Sequence, residues 1–176
     1  MNKNLVPLIS QTEIANRVNQ LALKIEQDYQ DRSLVLVGIL KGSFVFLADL
    51  VRKLNIPLDN IEFLRLSSYG ASMISSGQAK ITMSPSPEAI AFKDIVLVED
   101  IVDTGITTDT AIRYLQKLQP ASVSLCALLD KPSRRKVPVP IDYLGFTVED
   151  LFIVGYGIDF DQKYRQLPDI YYIDEK

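Results

Sequence analysis

The sequence predicts an α/β fold with a mostly parallel central sheet. Two observations carry that expectation. Leu34–Leu40, Ile95–Val98 and Val123–Leu129 are apolar at consecutive rather than alternate positions, the pattern of parallel strands covered on both faces. Between them lie segments with apolar residues at helical spacing, and strands alternating with helices build parallel sheets. At 176 residues, with 47% hydrophobic and 23% charged residues, the chain reads as a single domain over 1–176 with room for a substantial core.

In chain order, Ser10 and Glu13 form an S-x-x-E capping box ahead of Ile14, Val18, Leu21, Ile25 and Tyr29, so residues 11–29 read as an amphipathic helix. The strand Leu34–Leu40 follows, then the loop Lys41-Gly42-Ser43. Ser43 is a candidate cap for a helix over Phe44–Leu54, which Asn55 and Pro57 end. Ile61–Leu66 alternates and reads as a strand. Ser67–Pro87 is rich in Ser and Gly, holds a possible short strand at Gln78–Met83, and otherwise reads as a binding loop, a lid or a surface excursion. Ile95–Val98 is the next strand, and Thr107 or Thr108 starts a helix carrying Ala111, Ile112, Leu115 and Leu118 on its apolar side, with Pro120 as its stop. After Val123–Leu129, the three prolines and the basic triplet Arg134-Arg135-Lys136 make 132–140 a loop. Tyr143–Phe146 and Phe152–Val154 read as short strands, Tyr156–Asp159 as a turn, Tyr164–Leu167 as one helical turn and Ile170–Ile173 as a last strand.

The totals exclude several functions. A net charge of −3 gives no support for binding nucleic acid or anionic membranes through bulk charge. The single Cys126 rules out an intramolecular disulfide, and its apolar setting, VSLCALL, favours packing over catalysis. With no histidine, proton transfer falls to Asp, Glu, Lys, Tyr or water. The first ten residues have no apolar signal-peptide core and no apolar run is long enough to span a bilayer, so a cytoplasmic protein is expected.

The chemistry concentrates in IVLVEDIVDTGITT, from Ile95 to Thr108. A buried strand leads to Glu99, Asp100 and Asp103, and then to a small, hydroxyl-rich turn at a helix start. Carboxylates suit sugar hydroxyls or a metal, and such a turn suits a phosphate. Ligands of parallel sheets bind at the carboxyl ends of the strands. The loops at Lys41-Gly42, Ser67–Pro87, Glu99–Thr108 and Lys131 all follow strands, so they converge on one rim. On the residues alone, Asp103 reads equally as a helix cap, and Lys131 as a solvated surface residue.

VLVEDIVDTGITT resembles the phosphoribosyl-pyrophosphate (PRPP) motif of type I phosphoribosyltransferases. LKGSFVFLADL, the Ser-Tyr pair opening the long loop, DKPSRR and IDYLGFTVEDLFIVGYGIDFDQKYRQLPDI are similar to the hypoxanthine-guanine branch of that family. The resemblance runs from about Gly38 to Tyr171. It implies the type I phosphoribosyltransferase fold: a parallel-sheet core flanked by helices, with a small hood from the N-terminal segment and roughly 132–176. It also implies purine salvage: Mg²⁺-dependent transfer of the phosphoribosyl group from PRPP to N9 of hypoxanthine or guanine. A xanthine-preferring enzyme of the same class, or a regulator on this fold that senses PRPP or nucleotides and binds nucleic acid, are the alternatives.

Site roles follow from the resemblance. Thr104, Gly105, Ile106 and Thr107 are the implied 5′-phosphate cradle. Glu99 and Asp100 are the implied partners of the ribose hydroxyls and of Mg²⁺, and Asp103 the catalytic acceptor of the purine N7 proton. Lys131 matches the residue that reads the 6-oxo group, Phe152 the aromatic that stacks on the base, and Ile153 a backbone contact to the base edge. Asp159 matches a Mg²⁺-site acid near the pyrophosphate and is counted with the purine-binding residues as well, and Arg165 matches a pyrophosphate contact. Leu40, Lys41 and Gly42 match a pyrophosphate loop that in the family can hold a non-proline cis peptide between its first two residues. Ser68 and Tyr69 match the mobile loop that closes over the reaction centre. The expected partners are PRPP and a 6-oxopurine, with neither nucleic acid nor membrane, and a homo-oligomer, dimer or tetramer, is expected. Arg134-Arg135-Lys136 carries no implied role: it reads as a surface contact or an oligomer interface.

Overall fold

The computed structural model describes residues 4–67 and 80–174. Its elements alternate as the sequence predicts: β1 (Asn4–Ile9), α1 (Gln11–Asp28), β2 (Leu34–Leu40), α2 (Phe44–Val51), β3 (Leu58–Ser67), β4 (Lys80–Met83), α3 (Pro87–Ile90), β5 (Asp94–Val102), α4 (Ile106–Lys117), β6 (Ser122–Asp130), β7 (Tyr143–Thr147), β8 (Ile153–Val154) and β9 (Ile170–Asp174). The main sheet has the order β4-β3-β2-β5-β6-β7. Every neighbouring pair in it is parallel except β3–β4.

Consecutive apolar residues on the central strands serve opposite faces of the sheet. Leu34 and Leu36 of β2, Val96 and Val98 of β5, and Cys126 and Leu128 of β6 join α1 and α2 in one core. Val35, Val37, Ile95, Leu97, Leu125 and Ala127 join Ala111 and Leu115 of α4 in the other. Successive side chains of a strand point to opposite faces, which is why the continuous runs mark a sheet covered on both sides. Cys126 is buried there as a small hydrophobe.

A second sheet, β1-β9-β8, joins the two ends of the described chain. β1 pairs antiparallel with β9 from Asn4↔Asp174 to Ile9↔Ile170, with an irregularity between Pro7 and Ile9. The sequence reading had no strand here, because NLVPLI is short and contains a proline. Such a segment becomes a strand only through its partner. The capping box forms as expected: the Glu13 N–H donates to Ser10 Oγ at 3.3 Å and the Ser10 N–H to Glu13 Oε2 at 2.9 Å.

Four local expectations are corrected. Ser43 does not cap α2: its hydroxyl donates back to the Ile39 carbonyl at 2.6 Å, inside the buried β2–α2 turn. Residues 164–167 are a hydrogen-bonded turn rather than a helix, since Gln162 and Tyr164 sit at φ 62° and 74°. Glu99 and Asp100 are not at a loop tip: β5 continues through them to Val102. Finally, α4 starts one residue early, with Gly105 rather than Asp103 at the N-cap, at φ 81°.

Candidate active site

The carboxyl ends of β2, β5 and β6 lie side by side, and their following loops carry most of the residues singled out in the sequence. Because β5 runs on past the core, its acids are held by ladder pairing, with Glu99 opposite Ala127 and Val102 opposite Asp130. Glu99 is 5% exposed and accepts a hydrogen bond from Thr108 Oγ1 at 3.4 Å. Burial raises its carboxyl well above the usual range, the Asp100 charge adds to that, and the Thr108 hydroxyl opposes it.

Asp100 points to the other side, against the β2–α2 loop. A Cβ on Gly42 would lie 1.8 Å from Asp100 Oδ2, so only glycine leaves room for that carboxylate. Burial raises Asp100 to about 6. Its own N–H, the Ile101 N–H and Arg165 pull it down, and the Asp159 charge pushes it up. A third segment closes the corner: a Cβ on Gly157, at φ 98°, would meet the Gly42 carbonyl oxygen at 2.3 Å. The turn after β8 thereby packs on the Lys41-Gly42 loop. Arg165 Nη2 pairs with Asp159 Oδ1 at 2.7 Å, and Arg165 Nη1 donates to the Gly157 carbonyl at 2.7 Å. Lys41 Nζ donates to Gln162 Oε1 at 3.1 Å. The Leu40–Lys41 peptide is cis. Gln162 was not singled out in the sequence, since an exposed glutamine in a turn carries no pattern.

The helix start lies on the other side of the acids. The first N–H groups of α4 have no intrahelical acceptor, which makes this end electropositive. Gly105 takes its left-handed conformation under the 131–137 segment, where a Cβ would meet the Val137 carbonyl oxygen at 2.3 Å. Thr104, Gly105, Ile106 and Thr107 therefore form a turn closely backed by protein on one side.

Asp103 sits between the acids and this turn. Arg134 Nε lies 3.3 Å from Asp103 Oδ1, an ion-pair contact without hydrogen-bond geometry; this buried oxygen has no hydrogen-bond partner among the described residues. Arg134 Nη1 also lies 3.7 Å from Asp150 Oδ1, which in turn is 3.8 Å from Lys131 Nζ. Lys131 is buried at 5% exposure, and its ammonium donates to the Leu151 carbonyl at 2.7 Å. A buried ammonium held to a backbone oxygen is a placed group rather than a solvated one. Phe152 is 46% exposed, with its ring edge-on to Phe160 at 5.0 Å, and Ile153 is buried in β8. Gly42, Asp100, Asp159 and Arg165 thus meet at one corner, the Thr104–Thr107 turn lies on the other side of the acids, and Asp103 is linked to Lys131 through Arg134 and Asp150. Ser68 and Tyr69 lie outside the described residues.

The comparisons with known proteins agree with one another. A family model described as "Phosphoribosyl transferase domain" matches residues 10–161. The chain is 44% identical over 163 residues to a hypoxanthine phosphoribosyltransferase of Haemophilus influenzae, covering 91% of this chain and 90% of that one. It is 46% identical over 164 residues to a hypoxanthine-guanine phosphoribosyltransferase of Dictyostelium discoideum, covering 92% and 91%. A crystal structure of a hypoxanthine-guanine phosphoribosyltransferase from Bacillus anthracis superposes with a TM-score of 0.90 at 39% identity, covering 98% of this chain and 100% of that one.

Proposed function

The chain belongs to the phosphoribosyltransferase family, and from that premise we infer that it is a purine-salvage enzyme that joins hypoxanthine or guanine to PRPP. The bond from C1′ to the pyrophosphate oxygen breaks, the bond from purine N9 to C1′ forms, and the purine gives up one ring proton. The products are IMP or GMP and pyrophosphate. The observation that carries this reading is the single rim on which a strand-borne acid pair, a helix-start turn, a buried lysine and the Asp159–Arg165 pair meet.

Each residue has a separate task. Backbone N–H groups and hydroxyls of Thr104–Thr107 hold the 5′-phosphate at the positive end of α4. Glu99 and Asp100 accept hydrogen bonds from the ribose hydroxyls. Arg165 and the Lys41-Gly42 loop bind the departing pyrophosphate. Asp103 takes the N7 proton, a role supported by its buried Oδ1, which has no hydrogen-bond partner among the described residues. Lys131 offers only donors, so it matches a 6-oxo group and meets the 6-amino group of adenine with donor against donor. Phe152 presents its exposed ring for stacking on the base, and Ile153 offers its backbone to the base edge.

Asp100 and Asp159 supply only oxygen donors, and the Asp159 charge is felt at Asp100, which fits Mg²⁺. When bound, it would neutralise charge on the pyrophosphate. None of the described helices is long and apolar enough to cross a membrane. A cytoplasmic location and a dimer or tetramer are further proposals.

The test is a steady-state assay with hypoxanthine, guanine, xanthine and adenine, each with PRPP and Mg²⁺. Turnover of hypoxanthine or guanine with adenine inert is the expected result. Inactivity with every 6-oxopurine would overturn the reading, and a preference for xanthine would move the chain to the xanthine branch.

A further inference from the structure

Arg134-Arg135-Lys136 is the one motif singled out in the sequence that the proposed reaction leaves without a task. Its members differ in the structure. Lys136 is exposed and the Arg134 side chain is half-exposed, but the Arg135 side chain is 17% exposed and points inward. Its guanidinium spans the ends of β5 and β6. Nε donates to the Asp103 carbonyl at 3.1 Å, Nη2 donates to the Val102 carbonyl at 3.3 Å, and Nη2 also pairs with Asp130 Oδ1. The N–H groups of Lys136 and Val137 donate to the next carbonyl, that of Thr104, at 2.9 and 3.0 Å.

Three successive carbonyls, Val102, Asp103 and Thr104, are therefore all drawn toward the 131–137 segment. A trans peptide is planar, with its N–H opposite its C=O. Holding these three oxygens turns the N–H groups of Asp103, Thr104 and Gly105 the other way. Gly105 is fixed from the same side, since a Cβ there would sit 3.0 Å from Arg135 Cδ. A planar fork with several donors can hold two carbonyls and a carboxylate together, which a lysine ammonium does less well.

We infer that Arg135 is a positioning residue: by holding the Val102 and Asp103 carbonyls from behind, it aims the backbone N–H groups of the 103–105 turn at a phosphate and sets the backbone of Asp103. It touches no substrate and acts through the turn. The inference rests on the proposed function, since the phosphate is the 5′-phosphate of PRPP or of the product nucleotide. A surface or oligomer contact does not account for a largely covered guanidinium with three internal acceptors.

The test compares IMP with inosine, which share base and ribose and differ by the 5′-phosphate. Calorimetric affinities of both are measured on wild type, Arg135→Lys and Asp130→Asn. The wild type binds IMP more tightly than inosine. In Arg135→Lys the IMP-to-inosine preference drops by about tenfold or more, the scale of a lost charge-assisted hydrogen bond, while inosine binding moves little. The charge survives that substitution, so a role resting on charge alone would leave the preference intact. A general structural role would weaken both ligands equally. Either result in a folded protein overturns the inference. If Arg135→Lys does not fold, Asp130→Asn decides: it keeps the guanidinium but weakens its anchor, and the preference should fall by about threefold. An unchanged preference there overturns the inference equally. A wild type with no preference for IMP overturns the proposed function and this inference with it.

Discussion

Asp103 and Lys131 are one chain of charges apart, through Arg134 and Asp150. If Asp103 accepts the N7 proton, Asp103→Asn keeps the shape and loses the acceptor. Its kcat should fall by roughly 100-fold or more, while the KM for PRPP moves far less. Equal losses in both would assign the residue to binding. Lys131→Gln replaces a donor-only group with one that both donates and accepts. The ratio of adenine to hypoxanthine turnover should rise by about tenfold, as expected when a clash of donors is removed, and steady-state kinetics with both bases check it. The acids of this site were legible in the sequence because three carboxylates after an apolar strand form a pattern. Arg135 was not, because its acceptors include two backbone carbonyls, which leave no trace in residue identity.

At the scale of elements, β5 is longer than its apolar run. Ladder pairing to β6 carries it through Glu99 and Asp100, so the acids inherit the rigidity of the sheet. The sequence located this strand from Ile95–Val98 alone, since polar residues at a strand end look like a loop. β1 was illegible for a different reason: its pairing is with residues far away in the chain, and propensity says little about such strands. The turn that starts α4 depends on Gly105 at φ 81°. Gly105→Ala forces a side chain into that conformation and onto the Val137 carbonyl. It should cost on the order of 1–3 kcal/mol, read as a Tm lower by several degrees, together with weaker PRPP binding. Gly42→Ala acts on another pair of elements. Its methyl group would displace the Asp100 carboxylate, so PRPP and Mg²⁺ affinity should fall with a smaller change in Tm; unaltered affinity would contradict the packing of that loop on Asp100.

For the whole molecule, the buried acids set a pH dependence. Asp100 is raised from 3.8 to about 6, so the folded state favours its neutral form. The stability it provides in that form is fully present below 3.8 and is lost as pH rises through about 6. Metal-free wild type should therefore lose Tm between about pH 4 and 7 relative to Asp100→Asn, whose side chain does not titrate. Glu99, whose carboxyl the Asp100 charge helps to raise, is raised less in the variant, which adds to the same difference. Parallel Tm curves would contradict this. Mg²⁺ at neutral pH should raise the wild-type Tm more than that of the variant, because an ion that binds only the folded state stabilises it by mass action.

The β1–β9 pairing bears on how the protein is made. During synthesis β1 leaves the ribosome ahead of the strands of the main sheet, and its partner at Ile170–Asp174 only after them. The parallel sheet has its strands in hand well before then, so it can assemble while the small sheet still waits. Gly157 and Gln162, which meet the Lys41-Gly42 loop, lie between β8 and β9 and follow the strands of the main sheet in the chain. A nascent chain therefore holds a formed core before the segment that follows the sheet packs on its rim.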